Sequence, residues 1–102
     1  MEQNIGLEVV SAKDIMGCIK AVRKYAPEMT MGEIKNKIGS GELMLEYDAV
    51  DDEGLAKIIA CHNELRKTGA KMKTYWLNRE VPYSTLKNLS GTFAYIDSQF
   101  ED

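Results

Sequence analysis

The fold of this chain is decided by the stretch Lys20–Gly39, KAVRKYAPEMTMGEIKNKIG, which places helical patterns on both sides of a proline. Pro27 lacks a backbone N–H and disfavours the helical region for Ala26, so the first helix has to end there. Thr30 and Glu33 have the spacing of a capping box, in which each side chain bonds the backbone amide of the other residue at the start of a new helix. We therefore predict two short amphipathic helices with a sharp break between them, the second of which ends at the glycine that closes the stretch.

Three segments outside this helical pair, one before it and two after it, alternate apolar and polar residues, which is the pattern of half-buried strands. They are Ile5–Val10, Leu43–Tyr47 and Lys71–Leu77. A third helix is predicted between the second and third strands, because apolar residues recur there at helical spacing from Leu55 to Leu65. Acidic residues precede this helix and a glycine follows it, which are the usual start and stop signals.

The order strand, helix, helix, strand, helix, strand predicts an α+β fold with a three-stranded antiparallel sheet and helices on one face. With 102 residues, the chain is long enough for one domain and too short for two. We divide this single domain, residues 1–102, into an α/β core over residues 1–80 and a C-terminal helical tail over residues 81–102. The tail is expected to pack on the core, over the face of the sheet that the helices leave open. Its apolar seam consists of Leu86, Leu89, Phe93, Ile96 and Phe100.

The composition of the chain argues against several classes of protein. The net charge of −3 argues against direct binding of nucleic acid, and no apolar run is long enough to cross a bilayer. The first residues, MEQNIGLEVVS, lack the basic and apolar regions of an export signal, so we expect a cytoplasmic protein. Cys18 and Cys61 lie in helical patterns and are interpreted as buried, reduced thiols, with a disulfide as the alternative.

No arrangement of residues in the sequence predicts an enzyme, a metal site or a cofactor. The only histidine, His62, directly follows Cys61, and neighbouring helical residues point about 100° apart, so this pair is a poor metal chelate. A nucleophile–base pair of Cys18 and His62 is the catalytic alternative, and stacking of nucleic-acid bases on Tyr75 and Trp76 is a further binding alternative. Core packing is the simpler interpretation of these side chains.

Charge is unevenly distributed along the chain. Between Ile38 and Ala56 the sequence has no lysine or arginine but has six acidic residues. Such a patch attracts a basic protein, raises its encounter rate and sets its orientation, and a tyrosine within the patch is suited to be an aromatic anchor. We predict a basic protein partner, most specifically a nuclease toxin that a bacterial immunity protein neutralises. The predicted partner-binding residues are Glu42, Glu46, Tyr47, Asp48, Asp51, Asp52 and Glu53.

Short patterns in the helical pair and near the third strand carry a family resemblance. They are Val22-Arg23, Met29 and Met31, Glu33-Ile34-Lys35, Ile38, and the later segment Lys67–Tyr75. With the order of elements over roughly Ile15–Tyr75, they resemble the C-terminal domain of the bacterial ribosomal stalk protein, and the topology is similar to that of Clp protease adaptors. The resemblance implies this fold and an alternative function as an adaptor or factor-docking domain.

In that alternative, a basic corner formed by the helical pair meets an acidic partner. Its residues are Arg23, Lys24, Lys35 and Lys37. Either function is compatible with a monomer or with a weak homo-oligomer that associates through the tail seam.

Overall fold

The computed structural model describes residues 4–89 of the chain. Within this range, four strands and four helices follow one another. They are β1 (Asn4–Ser11), α1 (Ile15–Tyr25), α2 (Met31–Lys37), β2 (Leu45–Asp48), α3 (Asp52–Lys67), β3 (Lys71–Trp76), β4 (Arg79–Val81) and α4 (residues 83–89). None of the helices in this described part combines the length and the apolar character that crossing a bilayer requires.

The strands form one antiparallel sheet in the order β2-β1-β3-β4. The predicted α+β class and the antiparallel sheet are confirmed, but the prediction of three strands is wrong. β4 forms a hairpin with β3 through Leu77 and Asn78, whose φ angles of 53° and 66° are both left-handed. Two left-handed residues suit a tight hairpin turn, but the usual sequence signal is Asn-Gly or Asp-Gly. Because leucine occupies the first position of this turn, the sequence lacks the signal that would have predicted the hairpin.

The predicted break between α1 and α2 is confirmed. The N–H of Ala26 donates to Val22 O at 2.8 Å and closes α1, and Pro27 follows. At the start of α2, the N–H of Glu33 donates to Thr30 Oγ1 at 3.1 Å. The Glu33 carboxylate accepts from the Thr30 hydroxyl at 3.2 Å, whereas the capping box predicts that it bonds the Thr30 amide. Gly39, with φ of 75°, follows the end of α2.

The core lies between the sheet and the helices. Alternate residues of β1, namely Ile5, Leu7 and Val9, are buried, and since they share one face of the strand they point towards the helical layer. In that layer α1 packs against α2 and α3, and α3 packs against β1 and β2. The helices contribute further fully buried side chains, which include Cys18, Val22, Ile34, Ile58, Cys61 and Leu65. We call the other face of the sheet, which carries Gly6 and Glu8, the open face.

The described part of the tail does not lie over the open face. In α4 the ring of Tyr83 stacks on His62 of α3, with 3.8 Å between centroids and 4° between planes. Leu86 is fully buried in the core, and Leu89 packs against it. The first residue of the tail, Val81, is the last residue of β4. The tail then forms α4, which adds to the helical layer. The other seam residues, Phe93, Ile96 and Phe100, lie outside the described residues.

Candidate functional site

Two of the predicted acidic residues point to the open face from β2. Tyr47 lies between them and points the other way, towards the helices. Its side chain is so close to Gly54 of α3 that a Cβ added to this glycine would lie 2.5 Å from the Cβ and Cγ atoms of Tyr47. Glu46 and Asp48 therefore share the opposite face of the strand, and both are exposed. Glu46 Oε2 accepts from the Asn4 side-chain amide at 3.0 Å, which orients one of these carboxylates.

The turn from β2 to α3 holds two further carboxylate contacts. Asp48 Oδ1 accepts from the N–H of Val50 at 3.1 Å, and Asp51 Oδ1 accepts from the N–H of Gly54 at 3.0 Å as the N-cap of α3. Val50 itself is 83% exposed, so an apolar side chain projects into solvent among carboxylates. Asp48 and Asp51 thus shape the turn locally while their charge stays at the surface.

The remaining acidic residues lie at the two ends of β2. Asp52 and Glu53 are exposed in the first turn of α3, where the helix dipole favours negative charge. Glu42 is exposed in the loop that precedes β2. We call the acidic residues of β2 and of the segments at its two ends the acidic edge. It consists of Glu42, Glu46, Asp48, Asp51, Asp52 and Glu53.

Tyr47 is only partly available to a partner. Its ring packs against Gly54, and Lys57 Nζ lies 5.8 Å from the ring centroid. Burial raises the pKa of the Tyr47 hydroxyl, and the nearby charges of Glu28 and Asp51 add to this effect. The side chain therefore braces β2 against the N-terminus of α3 and presents its remaining surface to a groove.

That groove, which we call the edge groove, runs along the outer side of β2. It has a volume of about 270 Å³. Its lining comes from β2 and the two residues before it, from the turn between α1 and α2, and from α2. These residues include Ala26, Glu28, Met29, Lys37, Met44, Glu46 and Tyr47. The groove combines apolar residues with polar ones that include Glu46 of the acidic edge. Sequence reasoning missed it because strand order cannot be read from one sequence.

The open face holds a second group of polar residues that the sequence did not predict. The Tyr75 hydroxyl donates to Glu8 Oε1 at 2.6 Å, and this hydrogen bond is the main cause that raises the pKa of Tyr75 to about 12. Glu8 is only 9% exposed. Lys73 and Glu80 form an ion pair at 3.5 Å on the same face. The only signal in the sequence was a glutamate within the apolar first strand, and its partners depend on the register with β3 and β4.

The candidate catalytic residues are held in structural contacts. Both cysteines are free and buried, with Cys18 Sγ at 3.5 Å from Thr68 Oγ1 and Cys61 Sγ at 4.0 Å from the Ala21 carbonyl oxygen. Burial raises the pKa of the Cys61 thiol to about 12, so the nucleophilic thiolate is strongly disfavoured. Burial also lowers the pKa of His62, and the charge of Arg66 adds to this effect. Across residues 4–89, no group of three or more histidine, cysteine or carboxylate side chains is placed to hold a metal ion.

The basic corner is partly occupied by contacts within the chain. Lys24 Nζ lies 3.7 Å from Glu64 Oε1, and Lys37 Nζ donates to the Leu43 carbonyl oxygen at 3.3 Å. Arg23 and Lys35 are exposed. Two of the four predicted docking cations are therefore already directed towards acceptors in the chain itself.

Comparisons of the chain with protein-family models, with curated proteins and with solved structures find no match. The fold and the site together define a class: an α+β domain whose antiparallel sheet ends in a short acidic strand beside a groove. The resemblance to the ribosomal stalk domain and to the Clp protease adaptors rests on residue patterns and element order.

Proposed function

We propose that this protein is a non-enzymatic protein-binding module that holds a basic partner against its acidic edge. The most specific form of this proposal is a bacterial immunity protein that acts in the cytoplasm and neutralises a nuclease toxin. The observation that carries it is the alignment of exposed carboxylates along one end strand of the sheet, with the edge groove directly beside them.

The chemistry of a nuclease explains why exposed carboxylates would bind its phosphate-binding surface. A nuclease binds the phosphates of its substrate with lysine and arginine side chains, and a row of carboxylates offers the same charge to the same surface. Complementary charge also accelerates the encounter, which matters for a protein that must capture a toxin before it cuts. Glu46 and Asp48 are exposed, so the unbound protein does not carry the cost of burying them.

Two features of the structure favour recognition over catalysis. Cys18, the candidate nucleophile, is fully buried, and His62, its candidate base, is stacked against Tyr83. Five of the six residues of the acidic edge, by contrast, are exposed, two of them on β2, where they can meet a second protein. Glu46 accepts from Asn4, and Lys24 and Lys37 likewise have acceptors within the chain, so both charged surfaces are partly engaged.

The experiment is co-purification and inhibition with a cationic nuclease encoded next to the gene for this protein. We expect a complex on size-exclusion chromatography at low ionic strength, loss of nuclease activity, and weaker binding as salt increases. The matched variants are Glu46→Lys and Glu80→Lys, which make the same charge change on the open face of the two end strands. We expect Glu46→Lys to weaken binding about tenfold or more, and Glu80→Lys to have a much smaller effect.

Other outcomes distinguish the alternatives. Equal effects of the two variants would mean that only net charge matters and that the acidic edge is not the interface. Loss of binding on Lys35→Glu, with Glu46→Lys harmless, would assign recognition to the basic corner. Failure of every neighbouring nuclease to form a complex at low salt would rule out the toxin-neutralising role.

A further inference from the structure

β2 has one side available for further pairing. It is the first strand in the sheet order, and β1 occupies its inner side over four register pairs, from Asn4↔Asp48 to Leu7↔Leu45. The outer side of a terminal strand carries backbone N–H and C=O groups that readily pair with another extended chain. The edge groove follows this outer side, since its lining comes from β2 on one flank and from the turn between α1 and α2 on the other.

We propose that the edge groove takes an extended, basic segment of the partner protein, which adds to the sheet as a fifth strand beside β2. This inference rests on the proposed function and states how the partner is held. In strand addition, main-chain hydrogen bonds supply affinity, and pockets for alternate side chains supply specificity. The described sheet has four strands, so the added segment would extend it by one.

The groove suits one set of alternate side chains of such a segment. Its floor includes Ala26, Met29 and Met44, and Met29 is the one of the three whose side chain is partly exposed. Methionine side chains adapt to the shape of an incoming apolar group. A volume of about 270 Å³ accommodates small or medium apolar side chains along this flank. Successive residues of a strand point to opposite faces, so the residues between them would reach the open face beside Glu46 and Asp48.

Charge identifies the occupant as basic. Glu28 and Glu46 line the groove, and the one lysine in its lining, Lys37, already donates to the Leu43 carbonyl oxygen. Asp48 extends the negative charge along the open face of the same strand. Opposite charges across neighbouring strands stabilise their pairing. Lysine or arginine at every second position of the segment would therefore meet Glu46 and Asp48 on the open face.

The same charges disfavour two other occupants, namely a second copy of the chain and residues 90–102. If two copies paired through β2, Glu46 and Asp48 of each copy would face those of the other, and like charges directly opposite destabilise a pair of strands. Residues 90–102 contain Asp97, Glu101 and Asp102 but no lysine or arginine. Both observations favour a segment of another protein over these two occupants.

The test uses the full chain and three short synthetic peptides with blocked termini. In the first peptide, arginine and valine alternate. The second has the same sequence but N-methyl groups on alternate backbone nitrogens, which removes hydrogen-bond donors while keeping the charge. The third has the same composition with the arginines in one block and the valines in another. Fluorescence anisotropy gives the affinities, and two-dimensional NMR reports the amide groups of β2.

We expect the alternating peptide to bind about tenfold or more tightly than either control, because only it can form backbone bonds with its side chains on the correct faces. The amide signals of Leu45–Asp48 should shift, and those N–H groups that point away from β1 should become protected from exchange. Met29→Ala, in the floor of the groove, should weaken binding about fivefold. Met31→Ala is the matched control, since Met31 is 45% exposed on α2 and does not line the groove.

Two results would overturn the inference. Equal affinity for all three peptides would mean that the acidic edge attracts basic chains by charge alone; strand addition would fail, and the proposed function would stand. No binding of the alternating peptide at low salt would also reject strand addition. The complex with a nuclease, measured separately, would then decide whether the proposed function fails too.

Discussion

The two edges of the sheet are built differently. β4 is three residues long and is followed directly by Pro82, and a groove of about 280 Å³ lined in part by Val81, Pro82 and Tyr83 lies beside it. Proline and short length are common ways in which proteins prevent an edge strand from pairing further. β2 is four residues long and has a groove along its outer side, with carboxylates on its open face. Both edges have a groove beside them; they differ in that proline limits further pairing at β4, whereas exposed carboxylates make pairing at β2 selective by charge.

The contacts behind each edge differ in the same way. Tyr47 fixes β2 to the N-terminus of α3, and a helical glycine makes that close approach possible. At the other edge, Thr74 Oγ1 donates to the Val81 carbonyl oxygen at 2.7 Å, and the stack of His62 on Tyr83 holds α4 in place. Each contact can be altered separately, so the comparison can be tested at both ends of the sheet.

The largest effect is expected from Gly54→Ala at the β2 edge. A Cβ at this position would lie 2.5 Å from the Cβ and Cγ atoms of Tyr47, so either the ring or the helix must move. We expect a loss of about 1–3 kcal/mol in the free energy of unfolding, measured with urea, and weaker binding of the basic partner. The matched control is Gly32→Ala in α2, where no atom lies within 4 Å of the added group.

That control should not destabilise the protein and should stabilise it by up to about 0.5–1 kcal/mol, because glycine is a poor helix former. If the two alanine variants changed the unfolding free energy in the same direction, the close contact between β2 and α3 would not be what determines the stability of the β2 edge.

A smaller loss is expected from Thr74→Val at the β4 edge. Thr74 is 3% exposed, and valine keeps its shape while removing the hydrogen bond to Val81. We expect a cost of about 1 kcal/mol, because the carbonyl oxygen loses its bond to the hydroxyl. Hydrogen exchange should become faster in β4 and stay unchanged in β2. Equal acceleration in both strands would show that the two edges are not independently held.

The histidine beneath α4 should make this edge sensitive to pH. Burial lowers the pKa of His62 in the folded protein from 6.5, so the unfolded chain takes up a proton first as the pH falls. The contribution of neutral His62 to stability is therefore complete above about pH 6.5 and is lost as the pH falls through the lower, folded pKa.

The measurement compares the urea midpoint at neutral and mildly acidic pH for the natural chain and for His62→Phe. Phenylalanine keeps an aromatic ring against Tyr83 but does not titrate, so the variant should lose less stability on acidification. It also removes Nδ1 of His62, which has no hydrogen-bond partner in its buried position. An identical pH dependence in both proteins would mean that other groups account for the acid sensitivity.

The smallest effect is expected in the hairpin turn that starts β4. Leu77 has a φ angle of 53°, and asparagine tolerates this left-handed conformation better than leucine does. Leu77→Asn should therefore stabilise the protein by about 0.5 kcal/mol, measured as a small rise in the urea midpoint. A loss of stability would indicate that the leucine side chain contributes more through packing than the turn loses through strain.

Sequence reasoning succeeded where the signal is local. The break at Ala26-Pro27, the cap at Thr30 and the glycine after α2 all act within a few residues, and each is found in the structure. The candidate site was reached only in part. The acidic residues were identified from their order in the chain, but the role of Tyr47 as a brace against Gly54 depends on a contact between separate elements.

The hairpin and the open-face contacts show why the rest could not be predicted. The turn at Leu77 and Asn78 lacks the glycine that usually marks such hairpins. The bond between Tyr75 and Glu8 joins residues 67 positions apart, and it exists only because β1 and β3 pair in one particular register. The alternation of apolar and polar residues in β1 and β3 does not specify that register.

By itself, the sequence determined where helices start and stop, which residues of β1 face the core, and that negative charge is concentrated in one segment. These properties depend on backbone chemistry and on residue periodicity over short distances. Only the tertiary structure decided that β2 lies at one end of the sheet, that a groove follows its outer side, and that β4 lies at the opposite end. Strand order depends on pairing between distant segments, and that pairing follows from how the whole core packs.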